Sequence, residues 1–209
     1  MAGALAGKND QGRLSLRARL AKAEIAALAR ELGVHGDEIR GRLDGAASLL
    51  MNGSTVGAAL KHSTGSAVVL MRDGEVARSL IEQLSTDLRS LFRERQEHVP
   101  VTCLLGIVTF KDGIGVIEPL RLESEAAVAV GAGRIDLVRD RLDLTVRTER
   151  DSTSFFALDI PVQISGPLDR LSAAALSDGG QNWLRQPTTI ADTLPPDLQK
   201  MATGSACRE

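Results

Sequence analysis

The sequence predicts a mainly β protein of the α+β class: a curved antiparallel β meander forming a groove, flanked by two amphipathic helices. Two observations carry this. After Pro100, segment after segment alternates apolar and polar residues with period two, and turn signals separate them. Before Pro100 the alternation is interrupted twice, over 22–32 and 78–92, by apolar residues at helical spacing.

The elements follow in order. Residues 1–12 carry no periodic pattern and are expected to be a flexible N-terminus. Leu14, Leu16, Ala18 and Leu20 alternate with Arg13, Ser15, Arg17 and Arg19, a strand with one wet face. Ile25, Leu28, Ala29 and Leu32 then make one helical stripe, with Gly33 as its stop. Residues 38–51 are extended again, Gly41 and Gly45 marking bulges or close backbone approach. Ser54 is placed to cap a short helical turn through Leu60. Ala67 to Met71 reads as a short strand ended by a turn at Asp73-Gly74. The second helix, 78–92, aligns Leu80, Ile81, Leu84, Leu88, Leu91 and Phe92.

From Pro100 onward the pattern is strands. Val101 to Phe110 is apolar throughout, as in a strand buried on both faces. Lys111-Asp112-Gly113 is a hairpin signal, and Val138-Arg139-Asp140 turns the chain again. Alternating strands fill 114–122, about 126–137, 142–146 and 156–164, giving a meander of about five strands in this half. Beyond Leu176 the chain is rich in Gly, Ser, Thr and Pro. The organisation expected is therefore one domain over 13–176 and a disordered tail over 177–209.

Composition excludes several functions. The 209 residues carry 25 Lys+Arg against 27 Asp+Glu, and aromatics make up 2% with no Tyr. Neither the charge balance nor the aromatic content suits nucleic acid. The two cysteines, Cys103 in an apolar strand and Cys207 in the tail, are too few and too far apart to read as a disulfide framework. Cys103 reads as a small buried hydrophobe, and the compartment is left open. No signal peptide is visible at the N-terminus, and the longest apolar run is too short to span a bilayer.

Catalytic constellations fail one by one. His35, His62 and His98 stand alone, without a second ligand at metal spacing. Gly131-Ala132-Gly133 starts like a dinucleotide loop, but Asp136 replaces the last glycine and a strand follows, so no helix N-terminus meets the pyrophosphate. Asp136, Asp140 and Asp143 cluster at a turn, as solvated carboxylates at a hairpin tip do. Trp183 reads as a docked residue of the tail. The expectation is a protein that is not an enzyme, with no catalytic, cofactor or metal residues.

What stands out is one apolar face. Read along the alternation, it gathers Phe110, Ile114, Val116, Leu120, Leu122, Val128, Val130, Leu142, Leu144, Val146, Phe156, Leu158, Ile160, Val162 and Ile164. Burying each such side chain is worth ~1.5–3 kcal/mol, so something must cover the face. The two amphipathic helices, further parts of a longer chain, a partner or a lipid would each serve. A glutamate at Val116 or at Leu144 is expected to disable the face equally.

A resemblance bears on that choice. The run 101–113, with Cys103 and the Asp112-Gly113 turn, is followed by alternating 114–122 and by a glycine-containing strand ending in Asp136-Leu137. The Leu142-Asp143-Leu144 strand and the closing 160–168, with Pro161 and Gly166-Pro167, come next, and 65–76 supplies a strand with Asp73-Gly74 upstream. This order over roughly 13–170 resembles the C-terminal region of the AsmA family, bacterial envelope proteins similar to repeating-β-groove lipid-transfer proteins. The resemblance implies phospholipid or another acyl lipid as cargo, a part in phospholipid transport and outer-membrane assembly, and a place on the periplasmic side of the inner membrane. It brings no catalytic residues. The family's N-terminal membrane anchor and long β region have no counterpart here, so the sequence reads as a C-terminal fragment or a short open reading frame, and whether it acts alone is left open. The competing expectation is a protein–protein assembly module of the envelope, its edge strands pairing with a partner and carrying no lipid.

Overall fold

The computed structural model describes residues 2–10, 13–27, 39–77, 98–124, 128–148, 161–176, 194–204 and 207. Among these, ten strands form one antiparallel sheet in which every strand pairs with its neighbours in sequence. They are β1 (Ala2–Asp10), β2 (Arg13–Glu24), β3 (Ile39–Asn52), β4 (Thr64–Ala77), β5 (His98–Lys111), β6 (Ile114–Glu123), β7 (Val128–Asp136), β8 (Arg141–Thr148), β9 (Val162–Pro167) and β10 (Ser172–Ala175). Two helices join them, α1 (Val56–Leu60) and α2 (Pro196–Thr203). The mainly β, antiparallel expectation is met: the sheet is open and curled.

Three bulges interrupt the ladders. One lies between Leu20 and Ala23 of β2, where Lys22 takes φ 51° and donates its backbone N–H to Asp44 Oδ1 at 2.9 Å. A second falls at Asp73-Gly74 of β4, where Asp73 takes φ 55°. The third sets Glu118-Pro119 of β6 against shorter stretches of both β5 and β7. Proline donates no N–H, so an interior strand holds it only at such a break. Each bulge adds local twist, which bends the sheet.

Several expectations are corrected by this sheet. Residues 2–10 are not a loose N-terminus: β1 pairs with β2 from Ala2↔Ala21 to Asp10↔Arg13. Alanine and glycine are weak strand formers, but the ladder satisfies backbone groups along an edge that β2 would otherwise leave open. The helix expected over 22–32 begins later, because strand pairing runs through Glu24; residues 25–27 are helical, and Ile25 packs against buried Met71, Val76 and Val101. Residues 28–38, and the helix expected over 78–92, lie outside the described residues. Asp73-Gly74 does not end a strand, because the chain bulges there and pairing resumes through Ala77. The cap of α1 is Thr55, one residue later than Ser54, and its Oγ1 accepts from Ala58 N at 3.2 Å.

The largest correction concerns the tail. Residues 194–204 pack onto the sheet through Leu194, Leu198 and Ala202, all buried against Val68, Leu70, Leu105 and Ile107. Pro196 opens α2, and Leu198 and Ala202, four apart, share the face turned to the sheet. Cys207 is bonded to Cys103, with 5.6 Å between their Cα atoms, so the two cysteines form a disulfide after all. A pairing across 104 positions leaves no local trace in the sequence. The rest of the tail expected to be disordered lies outside the described residues.

Candidate functional site: a charge-free sheet face

Directly paired residues of an antiparallel ladder project to the same side. Following the registers from β2 to β9 therefore sorts the sheet into two faces. On one, here the groove face, Leu14, Leu16, Ala18 and Leu20 of β2 pair with Met51, Leu49, Ala47 and Gly45 of β3. These lead to Gly65, Ala67 and Val69 of β4, then to Phe110, Val108 and Gly106 of β5. Gly115, Ile117 and Leu120 of β6 continue the face to Ile135, Gly133 and Gly131 of β7. Leu142, Leu144 and Val146 of β8 pass it to Gly166, Ile164 and Val162 of β9. The registers bring no charged residue to this face between Leu14 and Gly166.

The glycines on it have a steric reason. A Cβ on Gly115 would stand 2.7 Å from both Ile135 Cγ2 and Phe110 Cε1, and one on Gly131 3.2 Å from Val146 Cγ2. Ile135, Phe110 and Val146 thus occupy the space that side chains at Gly115 and Gly131 would need.

The outer face differs from strand to strand. At β4 and β5 it is apolar and lies under α2. At β6 to β9 it mixes charged and polar residues with Ile114, Val116, Val128 and Val130. Arg121 and Glu123 pair at 2.7 Å, Gln163 Nε2 donates to Asp143 Oδ1 at 2.8 Å, and Arg134 and Arg141 line an open cleft with Asp136, Asp143 and Ser165. β4 and β5 are thus apolar on both sides, as expected for 101–110.

Cover on the groove face is partial. At one end α1 lays Ala59 and Leu60 against Leu14, Leu16, Leu49, Met51 and Phe110. At the other, Met71, Val76 and Val101 gather Ile25, Ile39, Leu43, Leu104 and Leu122. Between them, Ile117, Leu120, Leu142, Val146, Val162 and Ile164 stay half-buried. Of the described helices, α1 packs on β3, and α2 on β4 and β3.

The registers redistribute the residues expected to share one face. Phe110, Leu120, Leu122, Leu142, Leu144, Val146, Val162 and Ile164 do lie together on the groove face. Ile114, Val116, Val128 and Val130 lie on the outer face: Ile114 pairs with Asp136, Val116 with Arg134, Val128 with Glu123 and Val130 with Arg121. The bulge at Glu118-Pro119 inserts one residue and exchanges the faces, so positions 114 and 116 cannot continue into 120 and 122. Phe156, Leu158 and Ile160 are outside the described residues. Ile117, Ile135, Leu104 and Val108 were missed; Pro119 in mid-strand was the signal for Ile117, which the bulge turns to the groove face.

The carboxylates at the β7–β8 turn are engaged with local donors. Asp136 Oδ1 accepts from the backbone N–H groups of Val138 and Arg139, and Oδ2 meets Arg139 Nη1 at 3.0 Å. The hydrogen bonds from Arg139 hold the Asp136 carboxyl below its ordinary 3.8. Asp140 pairs with Lys61 at 3.3 Å, tying the loop after α1 to this turn. Beside it, Gly113 donates to Ser63 O at 2.9 Å, and Leu137 to Gly113 O at 2.9 Å, so three connections interlock at one edge of the groove.

An open antiparallel meander with one charge-free apolar face and strand charges on the other defines a β-groove protein. Among curated proteins the chain is similar to the AsmA family protein YhjG of Escherichia coli K12, 26% identical over 164 residues that cover 76% of this chain and 23% of that protein. The match agrees with the resemblance to the AsmA family read from the sequence. The chain spans about a quarter of the length of this relative. No family model matches the chain, and no solved structure matches it. No described helix is long and apolar enough to cross a membrane.

Proposed function

We propose that the chain is a non-enzymatic, lipid-handling module of the bacterial envelope, in which acyl chains of a phospholipid lie along the groove face and head groups stay at its wet rim. The observation that carries this is the uninterrupted, charge-free face from β2 to β9, half-covered across β6 to β9. Contiguous apolar patches larger than a few hundred Å² mark binding surfaces. Scale agrees. β8, with 8 residues, spans about 27 Å, and one leaflet's acyl chains fill about half of a ~30 Å hydrocarbon core. The resemblance to the AsmA family points the same way, to phospholipid movement and outer-membrane assembly on the periplasmic side of the inner membrane. The Cys103–Cys207 disulfide supports an oxidising compartment such as the periplasm.

The test is lipid co-purification, read by native mass spectrometry, together with uptake of a fluorescent phospholipid. Leu120→Glu and Ile164→Glu, at half-buried positions of the groove face, abolish uptake in a folded protein. Val116→Glu, on the outer face, leaves it intact. Absence of lipid in the wild type, or persistence of uptake in both groove variants, would sink the proposal. A second reading has one observation of its own. The outer edge of β1 has no strand beside it in the described sheet, and it is where an envelope partner would add by strand pairing. That reading gives a crosslinked protein partner and no lipid.

A further inference from the structure

The outer face of β2 carries a feature that the groove does not use. Arg13, Arg17 and Arg19 all stand exposed on it. Their cross-strand neighbours do little to neutralise them. Arg17 lies between Ala6 and Ser48, Arg19 between Ala4 and Ala46, and only Arg13 has an acid opposite, Asp10. Leu50 sits on the same face, paired with Ser15 in the interval between Arg13 and Arg17. It is 61% exposed, the highest value among the exposed large hydrophobic residues described. Two guanidinium groups with no acid directly opposite, Arg17 and Arg19, and an apolar side chain standing in water beside them are independent signs, and they coincide in space. The nearest acid on the face, Asp44, is taken by the backbone N–H of Lys22.

We infer that this patch docks the protein on an anionic phospholipid bilayer, with the guanidinium groups on lipid phosphates and Leu50 inserted at the interface. Arginine presents a planar fork of donors that matches a phosphate group. Basic residues near an anionic membrane surface each strengthen attachment, and apolar side chains among them add area buried in the head-group region. A soluble phosphate would require donors converging in a pocket, whereas a strand sets Arg17 and Arg19 about 7 Å apart on an open surface. An acidic protein would satisfy the charges but leave Leu50 without a purpose. The chain as a whole is nearly balanced, at -2, so the attraction is local to β2. The patch lies on the opposite side of the sheet from the groove, so a bilayer held there leaves the groove face free, and the inference stands independently of lipid carriage.

Vesicle flotation tests it on the full chain. The probes are equimolar phosphatidylethanolamine–phosphatidylglycerol vesicles and pure phosphatidylcholine vesicles, each at about 50 mM and about 500 mM salt. The protein floats with the anionic vesicles at low salt, loses most binding at high salt and ignores phosphatidylcholine. Arg17→Gln with Arg19→Gln lowers partitioning about thirtyfold. Leu50→Ser lowers it severalfold and leaves the salt dependence unchanged. All three positions are exposed or half-exposed at the surface, so an unchanged thermal midpoint certifies the fold of each variant. Leu120→Glu, a groove variant, floats like the wild type, which separates this result from lipid uptake. Equal flotation of the wild type and the arginine variant, or capture by an acidic protein without any flotation on anionic vesicles, overturns the inference.

Discussion

Breaking the Cys103–Cys207 bond is the sharpest test of how the C-terminal segment is held. The bond closes a loop with a sequence separation of 104, and for a loop of about 100 residues the chain-entropy model gives ~4.7 kcal/mol of stabilisation. A second effect opposes recovery once it is cut. Leu194, Leu198 and Ala202 are then held by their own burial and by the hydrogen bond from Arg72 Nη2 to Gly204 O at 3.3 Å. The entropy of ordering the segment opposes that hold, so it loosens once its covalent tie is cut. Cys207→Ser, or reduction of the wild type, therefore lowers unfolding free energy by about 3–5 kcal/mol. For a chain of this length the thermal midpoint falls by on the order of 10 °C. Urea unfolding of oxidised and reduced protein measures the first figure. Hydrogen exchange of residues 194–204 shows whether protection is lost there first. Two thiols titratable in the folded, unreduced protein, or a stability difference below about 1 kcal/mol, would refute the reasoning.

Two further outcomes follow from local geometry. Gly113→Ala places a Cβ against Lys61 O at a residue with φ +76°, in the turn where Gly113 also donates to Ser63 O. Chemical denaturation should show a loss of about 1–3 kcal/mol, and a neutral result would mean that the interlocked turns separate freely. The Asp136 carboxyl, lowered by the Arg139 hydrogen bonds, should titrate below 3.8 when followed by NMR. Because the folded value is the depressed one, its contribution to stability is present above the unfolded carboxyl value and disappears as pH falls through the folded one. Arg139→Ala removes the side-chain hydrogen bond but keeps the backbone one, the larger cause, so the midpoint should move only part of the way back toward 3.8.

How much of this was legible depends on how local each signal is. The hairpin at Lys111-Asp112-Gly113, the turn at 138–140 and the alternation of Leu142, Leu144 and Val146 are written in adjacent residues, and the sheet realises all of them. Asp112, at φ 51°, and Gly113 take the left-handed conformations such a turn demands. Alternation, however, carries only parity, and one inserted residue reverses it. At Glu118-Pro119 that reversal moved Ile114 and Val116 to the outer face while leaving their spacing from Leu120 and Leu122 apparently regular. β1 was hidden for a different reason. Its Ala- and Gly-rich sequence has little strand preference, and the ladder with β2 decides its conformation. The disulfide and the packing of α2 depend on contacts across the length of the chain, where periodicity has nothing to say.

The two faces together explain why the groove can stay partly open without unfolding the sheet. β4 and β5 carry apolar residues on both sides, and α2 closes the outer one over Val68, Leu70, Leu105 and Ile107. A sheet stabilised there has a rigid spine that does not draw on the groove face. β6 to β9 spend their outer side on polar pairs such as Arg121–Glu123 and Gln163–Asp143, which need no cover. Their groove side holds the charge-free surface, with half-buried Ile117, Leu120, Val146 and Ile164. Had α2 packed on the groove face instead, those residues would have become ordinary core, and the outer face of β4 and β5 would have required a partner. The disulfide fixes which of these arrangements the chain adopts, because Cys103 pairs with Arg72 of β4 and Glu123 of β6, both on the outer side. The covalent tie thus commits the C-terminal segment to the back of the sheet and keeps it out of the groove.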